Sequence, residues 1–451
     1  MTIQPRTPVV AVLLSVMAVT SSALAPAASA QTPGATSTTV PTPMPPPALM
    51  TQVDAAVALH TPRITELRRH IHQHPELGNR EFETAALVAE HLRELGMEVR
   101  TGIAHTGVVG ILRGGRPGPV VAIRADMDAL PVTEQTGLPW ASTVRAEWNG
   151  AEVGVMHACG HDMHVAVGLG TASVLAGMRD DIAGTVMFIF QPAEEGPPAG
   201  ERGGAALMLE EGVFDDPVPD VAFALHSTPS LDVGVLGVTP GPAMAASDRW
   251  TARIIGRQAH GAQPQESVDP VVMASQAVLA LQTIRSRNMS ALDQAVVTVG
   301  IIRGGERNNI IPGEVYLEGT VRTFDPEIQD MIERRMQEIL DGVTRAAGGS
   351  FEFTYNRGYP VTVNDVALTQ RMMPVLASVV GDDNVHTLPP TTGAEDFSYF
   401  AQRVPGMYFR LGTTAAGTES GGLHTPTFVA DDGAIPVGIR AMAALVLGYG
   451  R

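Results

Sequence analysis

Within the eight residues His157-Ala158-Cys159-Gly160-His161-Asp162-Met163-His164 the chain places its only cysteine and three of its thirteen histidines. A thiolate and an imidazole two positions apart can ligate one metal if the backbone between them turns, and Gly160 is the residue type that permits such a turn. A helix starting near His161 would put Asp162 in its first turn and His164 one turn further on. A small buried cysteine beside surface histidines is the plainer alternative, and the clustering argues against it.

Other residues carry compatible chemistry. Gln191-Pro192-Ala193-Glu194-Glu195-Gly196 follows a strand-like run ending at Phe190. Two adjacent acids on an irregular loop can point different ways, one toward a metal and one free to take a proton from water. His226 ends another apolar run, and His424 sits in the Gly-rich stretch Gly421-Gly422-Leu423-His424. A single histidine is more often structural than ligating. Thiolate, imidazoles and carboxylate together nevertheless supply enough donors for two borderline divalent metals. Asp126 and Asp128 follow a third strand, where an acid either orients a ligating histidine or caps a turn. His260 could stabilise an oxyanion, Arg322 could clamp a carboxylate through its planar fork, and Asn309 offers a polar contact.

Elements must hold these residues in place. Glu81 to Leu95 has helical spacing, with Gly96 at its end. Val108–Leu112, Pro119–Ile123, Gly184–Phe190 and Asp220–Leu225 read as strands, and His161–Met178 as a helix between them. Residues 245–357 differ in order: strand 249–255, helix 269–287, strands 295–302 and 314–323, helix 326–347, strand 351–355. That β-α-β-β-α-β succession is ferredoxin-like. A strand at 407–411 and a helix at 435–447 then restore α/β alternation. The expected fold is α/β with two domains: a larger catalytic domain with a mixed sheet, formed by residues 50–244 and 358–451, and the inserted unit 245–357.

The whole chain sets outer bounds. Its 451 residues are 44% hydrophobic, which suits a sizeable core. A net charge of −17 argues against a nucleic-acid partner. Residues 1–30 read as a signal peptide, with an apolar run from Val9 to Thr20 and the small-x-small sequence Ala28-Ser29-Ala30. Residues 31–49 read as a proline-rich linker. Export, to periplasm or medium, is therefore expected, and one cysteine allows no disulfide within the chain.

The stretches IHQHPELG, AIRADMDALP, MHACGHDMH, FIFQPAEEG, NNIIPGEVYLEGTVRT, GAEDFSYF and LHTP, in this order, resemble the metallopeptidase family of aminoacylases, hippurate hydrolases, auxin-conjugate hydrolases and bacterial carboxypeptidases. The similarity is greatest to its N-acyl amino acid amidohydrolase branch. The resemblance implies Cys159, His161, Glu195, His226 and His424 as ligands of two divalent metals, zinc or manganese with cobalt or nickel as alternatives. It implies Glu194 as general base, Asp128 as the acid supporting a ligand, and His260 as the group polarising the scissile carbonyl, often across a homodimer interface made by the inserted unit. Carboxypeptidase-like members carry a histidine ligand where Asp126 stands here. The expected activity is hydrolysis of the amide bond of small N-acyl amino acids. A metallocarboxypeptidase or dipeptidase with the same site is the alternative, and a non-catalytic, metal-containing exported binding protein is the alternative of another class. No Gly-x-Ser-x-Gly elbow points to a serine hydrolase.

Overall fold

The computed structural model describes residues 44–450. The expected signal peptide and the linker up to residue 43 lie outside the described residues. Pro47, Ala48 and Leu49, read from sequence as the end of that linker, instead form the first turn of a long helix, Pro47–Gln73. Proline fits there because a first-turn N–H has no intrahelical acceptor to lose. Leu49, Val53, Val57, Ile64, Leu67 and Ile71 are buried at helical spacing along its inner face, which continues past Pro62.

Eight strands make the large mixed sheet. Its centre is four parallel strands in the order Ala183–Gln191, Arg116–Asp126, Val221–Asp232 and Gly406–Thr414. Gly107–Arg113 and Glu98–Ile103 add antiparallel to one side, and Leu236–Val238 with Val385–Thr387 close the other. Parallel strands need crossovers, and the helices that make them cover the sheet. One face is packed by Pro47–Gln73, His161–Ala176, Val366–Val380 and Ala434–Tyr449. In His161–Ala176 every residue up to Leu175 is buried, the expected result for a helix apolar on all sides. The short helices Gly204–Glu210 and Phe397–Ala401 cover the opposite face with Phe214, Phe397 and Phe400.

Between Ala246 and Arg357 the chain builds a separate four-stranded antiparallel sheet, ordered Ala295–Arg303, Glu314–Thr323, Ala246–Ile255, Ser350–Arg357. Strand alternation sends Val315, Leu317 and Val321 inward against the helices Pro270–Thr283 and Pro326–Ala346. Trp250, Met336 and Leu340 complete a core drawn only from this unit. Asp269 and Asp325 cap the two helices by accepting from Val271 and Glu327 backbone N–H groups.

Candidate metal centre

The C-terminal ends of the central parallel strands lie side by side, which is where open α/β sheets place ligands. Asp126 ends one strand and Gln191 the next, delivering Asp128 and the Pro192–Gly196 loop to the same edge. His226 comes from Val221–Asp232, and Cys159 with His161 from the start of the buried helix. His424 reaches the group from the loop before the last helix, where its N–H donates to Ala158 O at 2.8 Å.

The side chains converge. Cys159 Sγ lies 3.4 Å from His226 Nε2 and 3.3 Å from His424 Nε2, and His424 Nε2 lies 3.0 Å from Glu195 Oε1. Two overlapping donor sets result, Cys159–His161–His226 and Cys159–Glu195–His424, each with its atoms within 4.8 Å of one another. His161, Glu194 and Glu195 form a third set that joins them.

Neighbours aim these donors. Asp128 accepts from His161 Nδ1 at 3.2 Å and from Glu195 N at 2.9 Å, so one carboxylate orients two of them. His161 Nε2 is thereby turned inward and has no hydrogen-bond partner among the described residues. His226 Nδ1 donates to Ser227 O at 2.7 Å, which leaves the Nε2 lone pair facing Cys159. Gly160 has φ +82°, and a side chain there would meet Ser227 at 2.8 Å, so glycine is required on two counts.

Asp126 and His164 have a different task. His164 Nε2 accepts from Ser227 N at 2.8 Å, so its proton lies on Nδ1 and is donated to Asp126 at 2.5 Å. The other Asp126 oxygen takes Arg124 Nη1 at 2.5 Å. Both groups are fully engaged in anchoring the strand that carries His226. Arg124 is itself buried, with Glu395 and Asp396 each at 2.9 Å. Sequence reading missed Arg124, Glu395 and Asp396, although a lone arginine inside the apolar strand Val121-Ala122-Ile123-Arg124-Ala125 is a readable anomaly.

The electrostatics favour a cation. Burial, with Glu195 and Glu194 beside it, pushes the Cys159 thiol well up. Burial would lower His161, but Asp126, Asp128 and Glu195 outweigh it and push the imidazole up to about 10. Burial and the neighbouring His164 keep His226 neutral. Glu194 is held well above the ordinary carboxylate range by burial and by Glu395, Glu195 and Asp396. Once a cation displaces the protons of Cys159 and His161, a soft thiolate, imidazoles and carboxylates form the donor set of a divalent metal site, and the cation would relieve the excess of acids. His424 remains exposed, so the group opens to solvent on that side.

The inserted unit contributes differently. His260 and Asn309 sit together on a small two-stranded pairing, Ala259–His260 with Ile310–Ile311, where Gly261 N donates to Asn309 O at 2.8 Å. His260 is exposed and its Nδ1 accepts from Ala262 N. Arg322 lies half-buried on the open face of the four-stranded sheet, donating to Thr320 Oγ1 and Val321 O and lining a groove of about 500 Å³ with Arg249, Asp248 and Asn356. Among the described residues, none of His260, Asn309 and Arg322 hydrogen-bonds to the donor cluster within this chain. One bond does link the two regions: Tyr359, just after the last strand of the inserted unit, donates to Glu194 O at 2.6 Å.

Comparison with known proteins identifies the family. The sequence pattern of peptidase family M20/M25/M40 matches residues 122–448. An N-acetyl-L-cysteine deacetylase of Bacillus subtilis is 40% identical over 369 residues, covering 82% of this chain and 84% of its own. A thermostable carboxypeptidase of Saccharolobus solfataricus is 38% identical over 392 residues, covering 86% and 95%. A solved Bacillus subtilis protein, described as a dinuclear metal binding peptidase of family M20, superposes with a TM-score of 0.72 at 34% identity, covering 86% of this chain and 98% of that one. Fold and sequence therefore agree that this chain belongs to peptidase family M20/M25/M40 and is an amidohydrolase.

Proposed function

We propose that the protein hydrolyses the amide bond of N-acyl amino acids at a dinuclear metal centre held by Cys159, His161, Glu195, His226 and His424. The convergence of these five side chains beside a buried, unligated Glu194 carries the reading. When bound, the divalent metals supply Lewis acidity and make water a nucleophile near neutral pH. Glu194 takes the proton of the attacking water as the C–O bond forms at the acyl carbon. It then returns that proton to the amine nitrogen as the C–N bond breaks. Asp128 keeps His161 and Glu195 in register throughout.

His260 and Arg322 belong to this reading through the inserted unit, His260 to the carbonyl oxygen and Arg322 to the substrate carboxylate. The exposed position of His260 suits service to a second copy's site. Leu279 at 73% exposure and Ile302 at 58% are apolar residues on the same unit, and strand Ala295–Arg303 pairs along one edge only. These features support a homodimer through the inserted unit, and a monomer in sedimentation velocity at micromolar concentration would refute it. Export is part of the proposal, and detection of uncleaved protein solely in the cytosol would remove it.

Replacing Glu194 with Gln should abolish turnover while two metals per chain remain on elemental analysis, and retained activity would overturn its role as base. Parallel assays with N-acetyl and N-benzoyl amino acids and with dipeptides decide the substrate class. The carboxypeptidase relative favours the second reading, peptidase activity at the same site, and a preference for dipeptides would establish it.

A further inference from the structure

The motif Ile71-His72-Gln73-His74-Pro75-Glu76-Leu77-Gly78 and the turn that follows it hold no proposed metal donor, yet they grip the turn bearing Asp128 and the loop bearing Glu194 and Glu195. Glu76 O accepts from Ala129 N at 2.7 Å, beside Asp128. The Glu76 carboxylate turns back to accept from Glu83 and Thr84 N–H groups, fixing the start of the helix Phe82–Glu94. Gly78 lies so close to the Pro192–Gly196 loop that a side chain there would come within 2.8 Å of Gly196 O and 3.2 Å of Ala193 Cα. At the end of this cradle stands Glu81, with no exposed surface.

Both Glu81 oxygens are committed. Oε1 accepts from Ala193 N at 2.8 Å, and Oε2 pairs with the Thr106 hydroxyl at 2.6 Å. Ala193 is a non-glycine residue at φ +50°, in the left-handed region, and it immediately precedes Glu194. Left alone, an alanine relaxes to negative φ, which rotates the following peptide and swings Glu194 away from the donors. Glu81 fixes the peptide plane before Ala193, and Asp128, accepting from Glu195 N, with Tyr359, donating to Glu194 O, fixes the chain after it, so with both sides held φ cannot relax without breaking one of these bonds.

We infer that Glu81 is a positioning residue for catalysis: its carboxylate holds Ala193 in the left-handed conformation and thereby aims Glu194 at the reacting water. This rests on Glu194 being the base. Glu81 touches neither substrate nor metal, so its loss should lower kcat with little change in KM or metal content.

The test uses the metal-replete full chain and an N-acetyl amino acid substrate. Glu81→Met keeps the volume and removes the acceptor, and its kcat should fall roughly tenfold, the factor expected for an unsupported left-handed alanine. Glu81→Gln keeps an acceptor for Ala193 N and should hold kcat within about threefold of the parent. Adding Ala193→Gly to Glu81→Met removes the conformational penalty and should recover most of the loss. A purely structural role would lower melting temperature without that rescue. Unchanged kcat in Glu81→Met, or a double variant no better than the single one, overturns the inference. If Glu81→Met alone does not fold, the double variant should fold and turn over, and failure of both overturns the inference too. Glu194→Gln is assayed alongside: an active Glu194→Gln refutes the base assignment, whereas an inactive one with a fully active Glu81→Met refutes only the role of Glu81.

Discussion

His72 should make the fold more labile at alkaline pH, by an amount that follows from its surroundings. The ring is buried, with Nδ1 3.0 Å from Asp162 and Nε2 3.2 Å from Glu134. Burial disfavours the imidazolium, but the Asp162 charge and the hydrogen bonds to Asp162 and Glu134 outweigh it and raise the group to about 9. A folded pKa above the unfolded value of 6.5 stabilises the fold fully below pH 6.5, and that contribution is lost as pH rises through 9. A shift of about 2.5 units corresponds to roughly 3 kcal/mol. For a cooperative unit of about 400 residues, with an unfolding entropy of about 2 cal/mol/K per residue, this is a change of about 4 °C in Tm. Asp162 also holds Arg68 at 2.9 Å, and Arg68 holds Ala430 O and Asp432, so the network ties the first helix to the one bearing His161 and to the loop after His424. The assay is calorimetric Tm of the parent and of His72→Gln from pH 6 to 10 at saturating metal. The parent should exceed the variant by about 4 °C at pH 6, and the two should converge near pH 10. Parallel curves across that range would refute the reasoning.

Two further substitutions probe the centre. Asp128→Asn removes one acceptor that orients His161 or Glu195, so metal affinity should drop roughly 10- to 100-fold in competition with a chelator, and unchanged affinity would show that Asp128 does not position them. Arg124→Met leaves Asp126, Glu395 and Asp396 buried without their counter-charge, and urea unfolding should show a loss of about 3–5 kcal/mol. A variant as stable as the parent would mean that those acids are protonated in the parent.

Much of the architecture could be read from periodicity. The runs at 108–112, 184–190 and 221–225 are strands, and residues 246–357 follow the expected order except for two added short strands, Ala259–His260 and Ile310–Ile311. The helix Pro47–Gln73 was hidden by the run Pro45-Pro46-Pro47 at its start and by Pro62 within it, although Val53, Val57, Ile64, Leu67 and Ile71 carry helical spacing. Residue type and clustering suffice to propose the donors at Cys159 and His161. The supporting residues depend on contacts between distant segments, as when Arg124 meets Glu395 or Glu81 meets Ala193, and no local pattern announces such pairs. Asp126 remained evenly poised between orienting a histidine and capping a turn, and its bonds to His164 and Arg124 favour the first role, on a histidine outside the donor set.

The proposed donors come from four separate segments, and Cys159 meets His424 across 265 residues of sequence. Only Cys159 and His161 of the proposed five are near neighbours in the chain, so an unfolded or partly synthesised polypeptide can offer a metal the local donors of residues 157–164 but not the full set. A complete cage exists only after the parallel strands have paired, which is among the slower events in folding. If the chain crosses a membrane unfolded, its metal is therefore chosen in the compartment where folding finishes, by the ions available there and not by those of the cell that made it.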